Sequence, residues 1–301
     1  MRSVNDIDIF VSSSDAYSDV WPAFFTIFKR EWPEYKGTIY LNTEHLEYTH
    51  EGLDIVCTKL GKQRYFGETF LRGIEYVKGE KFLLMMIDYF IERRVDVARL
   101  QEIFDIFTNK NADTFTLMTQ PYGFCLLRSN PEYSLIDCSA GWQIMFSFQS
   151  AFWRKDSLKR IILPWENPWQ AEYLGSRRAA LCKMNFYLLT SRDYMPIVYD
   201  EAGVLHGGGK WLMSALARVN LSGVPLDMTK TGRSVYKESL SPESDFINVF
   251  ARELPLRLKS WTYMIYKNPK ALCMLVEDTF RRCCKLFCYV CKIIKSKYNE
   301  R

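Results

Sequence analysis

The sequence predicts an α/β fold: a mixed, mainly parallel sheet flanked by helices, followed by an amphipathic helical tail. Three observations predict it. Strand-like and helix-like segments alternate through the N-terminal half, which argues for right-handed βαβ units. One segment, Phe82 to Ile87, is six consecutive apolar residues, as expected of a strand buried on both faces. From about Phe246 the chain reads as helix, and from Ala271 an apolar stripe recurs at helical spacing.

Taken in order, Ile7 to Ser12 reads as the first strand. Ser12 to Asp15 is a polar loop suited to cap the next helix, which Trp21 and Pro22 open and whose Phe24, Phe25 and Phe28 face inward. Thr38 to Leu41 and Asp54 to Cys57 are the second and third strands. Glu68 to Val77 is helical, with Phe70, Leu71, Ile74 and Val77 on one face. The Phe82 strand follows. Val95 to Phe107 is a helix, its Val97, Leu100, Ile103, Phe104 and Phe107 recurring at helical steps, and Thr114 to Met118 is a strand. Trp142 to Phe148 alternates, with Trp142, Ile144, Phe146 and Phe148 on one side, the pattern of a half-buried strand. Asp156 to Leu163 is a short helix stopped by Pro164, and another runs from near Pro168 to about Ala180. Phe186 to Leu189 and Ile197 to Tyr199 are short strands, Gly207 to Gly209 a turn, and Lys210 to Val219 a helix. Residues 220 to 245, rich in Gly, Pro, Ser and Thr, read as a connection. The chain thus divides into a main domain, 1–240, and a helical extension, 241–301.

The 301 residues are 48% apolar and 25% charged, an ordinary globular balance. The net charge is +5, with basic residues mixed among acids, so nucleic acid is not an expected partner. Nine cysteines without secreted-domain spacing read as reduced thiols. Cys284, Cys288 and Cys291 share one helix face, which does not assemble a tetrahedral zinc site, so they read as small apolar filler. There is no signal-peptide apolar region and no run approaching the ~20 residues of a membrane span, so the expected location is cytoplasmic. The tail stripe, Leu272, Val276, Phe280, Cys284, Phe287, Cys291, Ile294 and Tyr298, is bordered by Arg281, Arg282, Lys285, Lys292, Lys295 and Lys297. Such a helix either lies on an anionic bilayer surface or packs against the rest of the chain.

The Phe82 strand ends in an acid, Asp88, followed by Tyr89 and Phe90. In an open α/β sheet, ligands bind beyond the carboxyl ends of the strands. A carboxylate there either holds a divalent metal against phosphates or starts a turn.

Three segments together resemble the bacterial polysaccharide- and lipopolysaccharide-assembly glycosyltransferases of GT-A type. The first is Ile9-Phe10-Val11-Ser12-Ser13-Ser14-Asp15. The second runs from Phe82 to Phe90, similar to the strand that in this family ends in an Asp-Asp-aromatic-Phe motif, with Ile87 here in place of the first acid. The third joins Phe148 to Asp156, carrying Trp153-Arg154-Lys155, to Glu166-Asn167-Pro168-Trp169-Gln170-Ala171-Glu172. Leu205 to Trp211 resembles the family's Gly-Lys-Trp segment, so the likeness spans about residues 6 to 220.

The resemblance implies a GT-A like, Rossmann-like fold. It implies an enzyme moving a sugar from a nucleotide-diphosphate donor to a glycan or lipid-linked acceptor in surface-polysaccharide synthesis, with inversion; an amphipathic tail lying on the inner membrane surface would suit a lipid-linked acceptor. Mn²⁺ or Mg²⁺ is the implied cofactor, with Asp88 as ligand. Ser12, Ser13 and Asp15 become donor-binding candidates, with helix capping as the alternative. Arg154 and Lys210 become diphosphate candidates, Arg154 with a helix-end or solvated role as its alternative. His206 is a second metal candidate or a loop histidine. Glu172 is implied as the base, with Trp169 three residues before it as acceptor platform; the alternative is a solvated Glu beside a core Trp. The single acid leaves a rival from another class, a non-catalytic partner protein that recruits an assembly complex. A nucleotidyltransferase is a further rival, against which stands the lack of a Gly-rich basic loop near the N-terminus.

Overall fold

The computed structural model describes residues 3–119, 126–129, 131–137, 145–199, 203–206, 209–213, 216, 219, 223, 233–234 and 243–280. Within them one nine-stranded sheet is built from β1 (Asp8–Ser12), β2 (Thr38–Leu41), β3 (Asp54–Cys57), β4 (Lys81–Met86), β5 (Thr114–Thr116), β6 (Leu126–Ser129), β7 (Tyr133–Ile136), β8 (Ala151–Arg154) and β9 (Phe186–Leu189), in the order β3-β2-β1-β4-β8-β5-β9-β7-β6. The β1–β4 strands are mutually parallel; β8 runs antiparallel to β4 and β5, and β7 antiparallel to β9 and β6. With β5 and β9 parallel, all strands but β7 and β8 point one way. The fold is the α/β, mainly parallel class that the alternation predicts.

The central strands are buried on both faces, and the two-residue period sorts their side chains. Ile9 and Val11 of β1 and Leu83 and Met85 of β4 enter one core with helices α1 (Trp21–Glu31) and α3 (Val97–Asn109). Phe10, Phe82 and Leu84 enter the other, with α2 (Phe66–Glu75), α4 (Lys155–Ile161) and α5 (Pro168–Leu181). Helix α5 begins with a capping box, in which Gln170 N donates to Asn167 Oδ1 at 2.8 Å and Asn167 N to Gln170 Oε1 at 3.2 Å.

An ion pair fastens the corner between α4 and α5. Glu166 has no solvent exposure and Arg178 is also buried. Arg178 Nη1 donates to Glu166 Oε1 at 2.9 Å, Nη2 pairs with Oε2, and Nε donates to Ile161 O at 2.9 Å. Removing one partner strands a buried charge, so Glu166→Ala is expected to cost about 3–5 kcal/mol in urea unfolding. Replacing both partners by apolar residues of similar volume should recover most of that loss.

Several sequence expectations are corrected. Met145 to Phe148, the described part of the expected Trp142–Phe148 strand, is not a strand. Its backbone donors go to α5 side chains instead: Met145 N and Phe146 N to Ser176 Oγ, each at 3.0 Å, and Phe148 N to Glu172 Oε1 at 2.8 Å. Ile197 to Tyr199 forms only a bridge between Tyr199 and Ile91. Lys210 and Trp211 form β11, paired with β10 (Leu205–His206), and helical residues start only at Met213. The β6–β7 hairpin was not anticipated. Helix α6 (Glu243–Lys267) begins inside the expected connection 220–245, of whose earlier part only 223 and 233–234 are described. Trp261 and Met264 of α6 and Ala271 pack with Leu174 of α5, while Leu272, Val276 and Phe280 in the helical stretch 271–280 are exposed. The rest of the stripe and Cys284, Cys288 and Cys291 lie outside the described residues.

Candidate functional site

The carboxyl edge of the sheet gathers the candidate site. Ser12 ends β1 beside Met86 at the end of β4, and Ile87 N donates to Ser12 O at 3.2 Å, so the loops after both strands leave side by side. Asp88 follows at once, and Tyr89 N turns back onto Met86 O at 3.2 Å. Burial pushes the Asp88 carboxyl up to about 6. Among the described residues no cation pairs with it.

The surroundings of Asp88 are aromatic and backbone. The Tyr17 phenol is raised by burial first and by the Asp88 charge second, as is that of Tyr89. Gly203 has φ +73°, and a Cβ there would lie 3.3 Å from Asp88 Oδ2 and 3.2 Å from Asp88 O, while Val204 N donates to that same carbonyl at 2.7 Å. Gly203→Ala is therefore expected to cost about 1–2 kcal/mol for the left-handed conformation. The added methyl should also crowd the Asp88 carboxylate, and the stability loss is readable by denaturation.

Glu172 reaches the same edge through β8. Because β8 runs antiparallel to β4, with Ala151 opposite Leu84, residues 148–150 return alongside the end of β4. All three anchor polar side chains at this edge. Phe148 N donates to Glu172 Oε1 at 2.8 Å, Gln149 Nε2 to the Tyr89 hydroxyl at 2.9 Å, and Ser150 N to the Tyr199 hydroxyl at 3.0 Å. The Tyr199 hydroxyl donates to Gln149 Oε1 at 3.1 Å. Burial raises the Glu172 pKa, opposed by the Phe148 N–H, and its charge, like that of Asp88, reaches the Tyr89 phenol. The edge thus carries two recessed acids whose neutral forms burial favours, the environment in which carboxyl groups take up acid–base work.

Trp169 lies three residues before Glu172 on α5, about 4.5 Å along the axis, and is 67% exposed. An open indole beside a recessed acid offers a face on which a sugar ring can stack.

The remaining candidates separate. Ser12 is buried at the strand end, and Ser13 Oγ accepts from Trp21 Nε1 at 2.8 Å. The Asp15 carboxylate accepts from Glu44 N at 2.9 Å, His45 N at 2.8 Å and Leu46 N at 3.2 Å, so it pins the loop after β2. Lys210 is exposed on β11 opposite His206, whose side chain lies outside the described residues. Arg154 is not brought to this edge: it pairs in register with Lys81 at the far end of β4, roughly 20 Å from Asp88, and its Nε donates to Ala112 O at 2.8 Å. Sequence reasoning missed Tyr17, Gln149, Tyr199 and Gly203. Tyr89 carried a signal as the aromatic after Asp88, and Gln149 lay within the Phe148–Asp156 segment that carries the resemblance.

Asp88 fits a divalent cation of one kind. Among the described residues no group of three His, Cys, Asp or Glu forms a cage. A lone recessed carboxylate suits Mg²⁺ or Mn²⁺ whose other ligands are diphosphate oxygens and water.

No family model and no curated protein matches this chain. Among solved structures it is similar to S. aureus TarS, 13% identical over 64% of this chain and 36% of that one, with a TM-score of 0.42. It is similar to the galactosyltransferase LgtC in complex with donor and acceptor sugar analogs, 10% identical over 75% and 100%, TM-score 0.42. A third is the UTP-bound UGPase from Acinetobacter baumannii, 9% identical over 75% and 97%, TM-score 0.44. The chain spans about a third of the length of TarS. The likeness is distant and one of fold only.

Proposed function

We propose that this chain is a nucleotide-sugar glycosyltransferase that moves a sugar from a nucleotide-diphosphate donor to a glycan or lipid-linked acceptor in surface-polysaccharide synthesis. One observation supports the reading: two recessed carboxyl groups, Asp88 and Glu172, both lie near enough to Tyr89 at the carboxyl edge for their charges to raise its phenol, neither paired with a cation among the described residues. Asp88 would hold Mn²⁺ or Mg²⁺, with His206 as a second proposed ligand, and the ion would supply Lewis-acid neutralisation of the diphosphate leaving group. Glu172, kept in place by Phe148 N, takes the proton of the acceptor hydroxyl as it attacks the anomeric carbon. Trp169 stacks on the acceptor, and Ser12, Ser13 and Lys210 line the donor side. A base on the acceptor hydroxyl implies inversion; a product that keeps the donor's anomeric configuration by NMR would sink that part.

The extension 241–301 is proposed to hold the enzyme against the anionic inner membrane surface. The exposed Leu272, Val276 and Phe280 and the basic residues after Phe280 support this. No helix among the described residues is long and apolar enough to cross a membrane.

One observation favours a second reading, a non-catalytic partner of an assembly complex: Ile87, where the resembled family has an acid, is buried in the apolar core. A donor-hydrolysis screen separates the two. The protein is incubated with a panel of nucleotide sugars, with Mn²⁺ or with chelator, and scored for released nucleotide with and without candidate glycan acceptors. Metal-dependent release from one donor supports the enzyme. No release and no nucleotide binding across the panel supports the partner.

A further inference from the structure

The turn at Gly209 and the distant Arg233 remain outside the chemistry above, yet they meet. The Arg233 side chain is 13% exposed and forks onto Asp19, Nε to Oδ2 at 2.7 Å and Nη2 to Oδ1 at 3.0 Å. Its Nη1 donates to Gly209 O at 2.9 Å, Nη2 also donates to Ala16 O, and the guanidinium carbon stands 5.1 Å from the Tyr17 ring centre. Ser234 O accepts from Trp211 N at 3.0 Å. Gly209 explains itself through this contact: its φ is +73°, and a Cβ would lie 2.4 Å from Arg233 Nη1.

These contacts close a ring around the carboxyl edge. Asp88 O accepts from Val204 N, which docks the β10–β11 hairpin on the Asp88 backbone, and Leu212 N donates to Val204 O at 3.0 Å, which closes the base of the hairpin. The hairpin meets residues 233–234 through Gly209 and Trp211. Arg233 then grips Ala16 and Asp19, and Tyr17, between them, lies within reach of the Asp88 charge. Arg233 joins the two ends of this ring, and the fork on Asp19 is a geometry that a lysine ammonium does not reproduce.

We infer that Arg233 is a positioning residue for the nucleoside diphosphate. It buckles the loop after β1 to the β10–β11 hairpin, so that Tyr17 and the glycine turn wall the donor side of Asp88. This rests on the transferase reading of the site. With the guanidinium spent on Asp19, Gly209 and Ala16, its role is to hold the walls and not to take a proton, so its loss acts on donor binding.

The test compares the full chain with Arg233→Met, Arg233→Lys and Gly209→Ala. Hydrogen exchange is read in residues 15–19 and 203–213, and donor turnover with the nucleotide sugar that the unmodified chain accepts. In all three variants exchange is expected to rise in both segments without donor, while the melting transition stays cooperative. Donor KM should rise about 10-fold or more with kcat within about 3-fold, as for a misplaced binding wall, and lysine should not rescue it. Unchanged exchange overturns the ring. Raised exchange with unchanged donor KM, or a fall confined to kcat, overturns the donor role. If the unmodified chain binds no nucleoside diphosphate at all, the transferase reading fails and takes the donor role with it, whereas a loss seen only in the variants leaves that reading intact.

Discussion

Asp88→Asn is expected to abolish metal-dependent donor turnover and at the same time to stabilise the metal-free protein above pH 6. The first effect follows from the loss of the carboxylate proposed to hold the cation at the diphosphate, which would remove the neutralisation of the leaving group, a fall of about 100-fold or more. The second follows from burial. The Asp88 carboxyl is raised from 3.8 to about 6 in the folded chain, so between these values the folded state binds more protons than the unfolded one. Stability from this group is therefore full below pH 3.8 and is lost as pH rises through about 6. At pH 8 the ionised form is held at a cost of up to about 3 kcal/mol, which asparagine does not bear. Urea unfolding in chelator should show the variant more stable at pH 8 and equal to the parent near pH 4. Mn²⁺ should reverse the order at pH 8 by stabilising only the parent. A variant less stable at pH 8 in chelator would mean that the carboxylate is already satisfied within the fold, and the metal assignment would fall.

Glu172→Gln is expected to lower kcat by about 10²- to 10⁴-fold while leaving donor KM near its parent value. Glutamine keeps an acceptor for Phe148 N, so the 148–150 run and its hold on Tyr89 and Tyr199 should persist, and the loss should be one of proton transfer rather than of folding. The pH profile gives the sign. Burial raises the Glu172 pKa, and a base works ionised, so kcat should fall as pH drops through that raised value. In the variant the residual rate should lose this acid limb. Retention of full activity in Glu172→Gln would reduce Glu172 to a support for the Phe148 backbone.

Much of the frame is legible along the chain because it rests on local periodicity. The apolar run of β4, the inward phenylalanines of α1, and the Asn-Pro opening of α5 each report an element without knowledge of its neighbours. Asp88 at a strand end, and Trp169 and Glu172 one helical turn apart, belong to the same class of signal. Residues 145–148 do not, because their alternation is satisfied by burial against α5, whose Ser176 and Glu172 take the hydrogen bonds that a partner strand would have taken.

What the sequence alone determined is the α/β class, most element positions and the acid at the end of β4. What only the tertiary structure decided is which residues share an edge. Arg154 reads as a diphosphate candidate or a helix-end residue, but β8 enters the sheet antiparallel to β4, so the same turn of chain that brings 148–150 to Asp88 carries Arg154 to the opposite end. Arg233 and Asp19, 214 residues apart, meet only after the sheet has stacked its loops on one side. Strand direction and contacts at such separations are set by the global packing of two cores, and a local pattern of side chains carries no record of either.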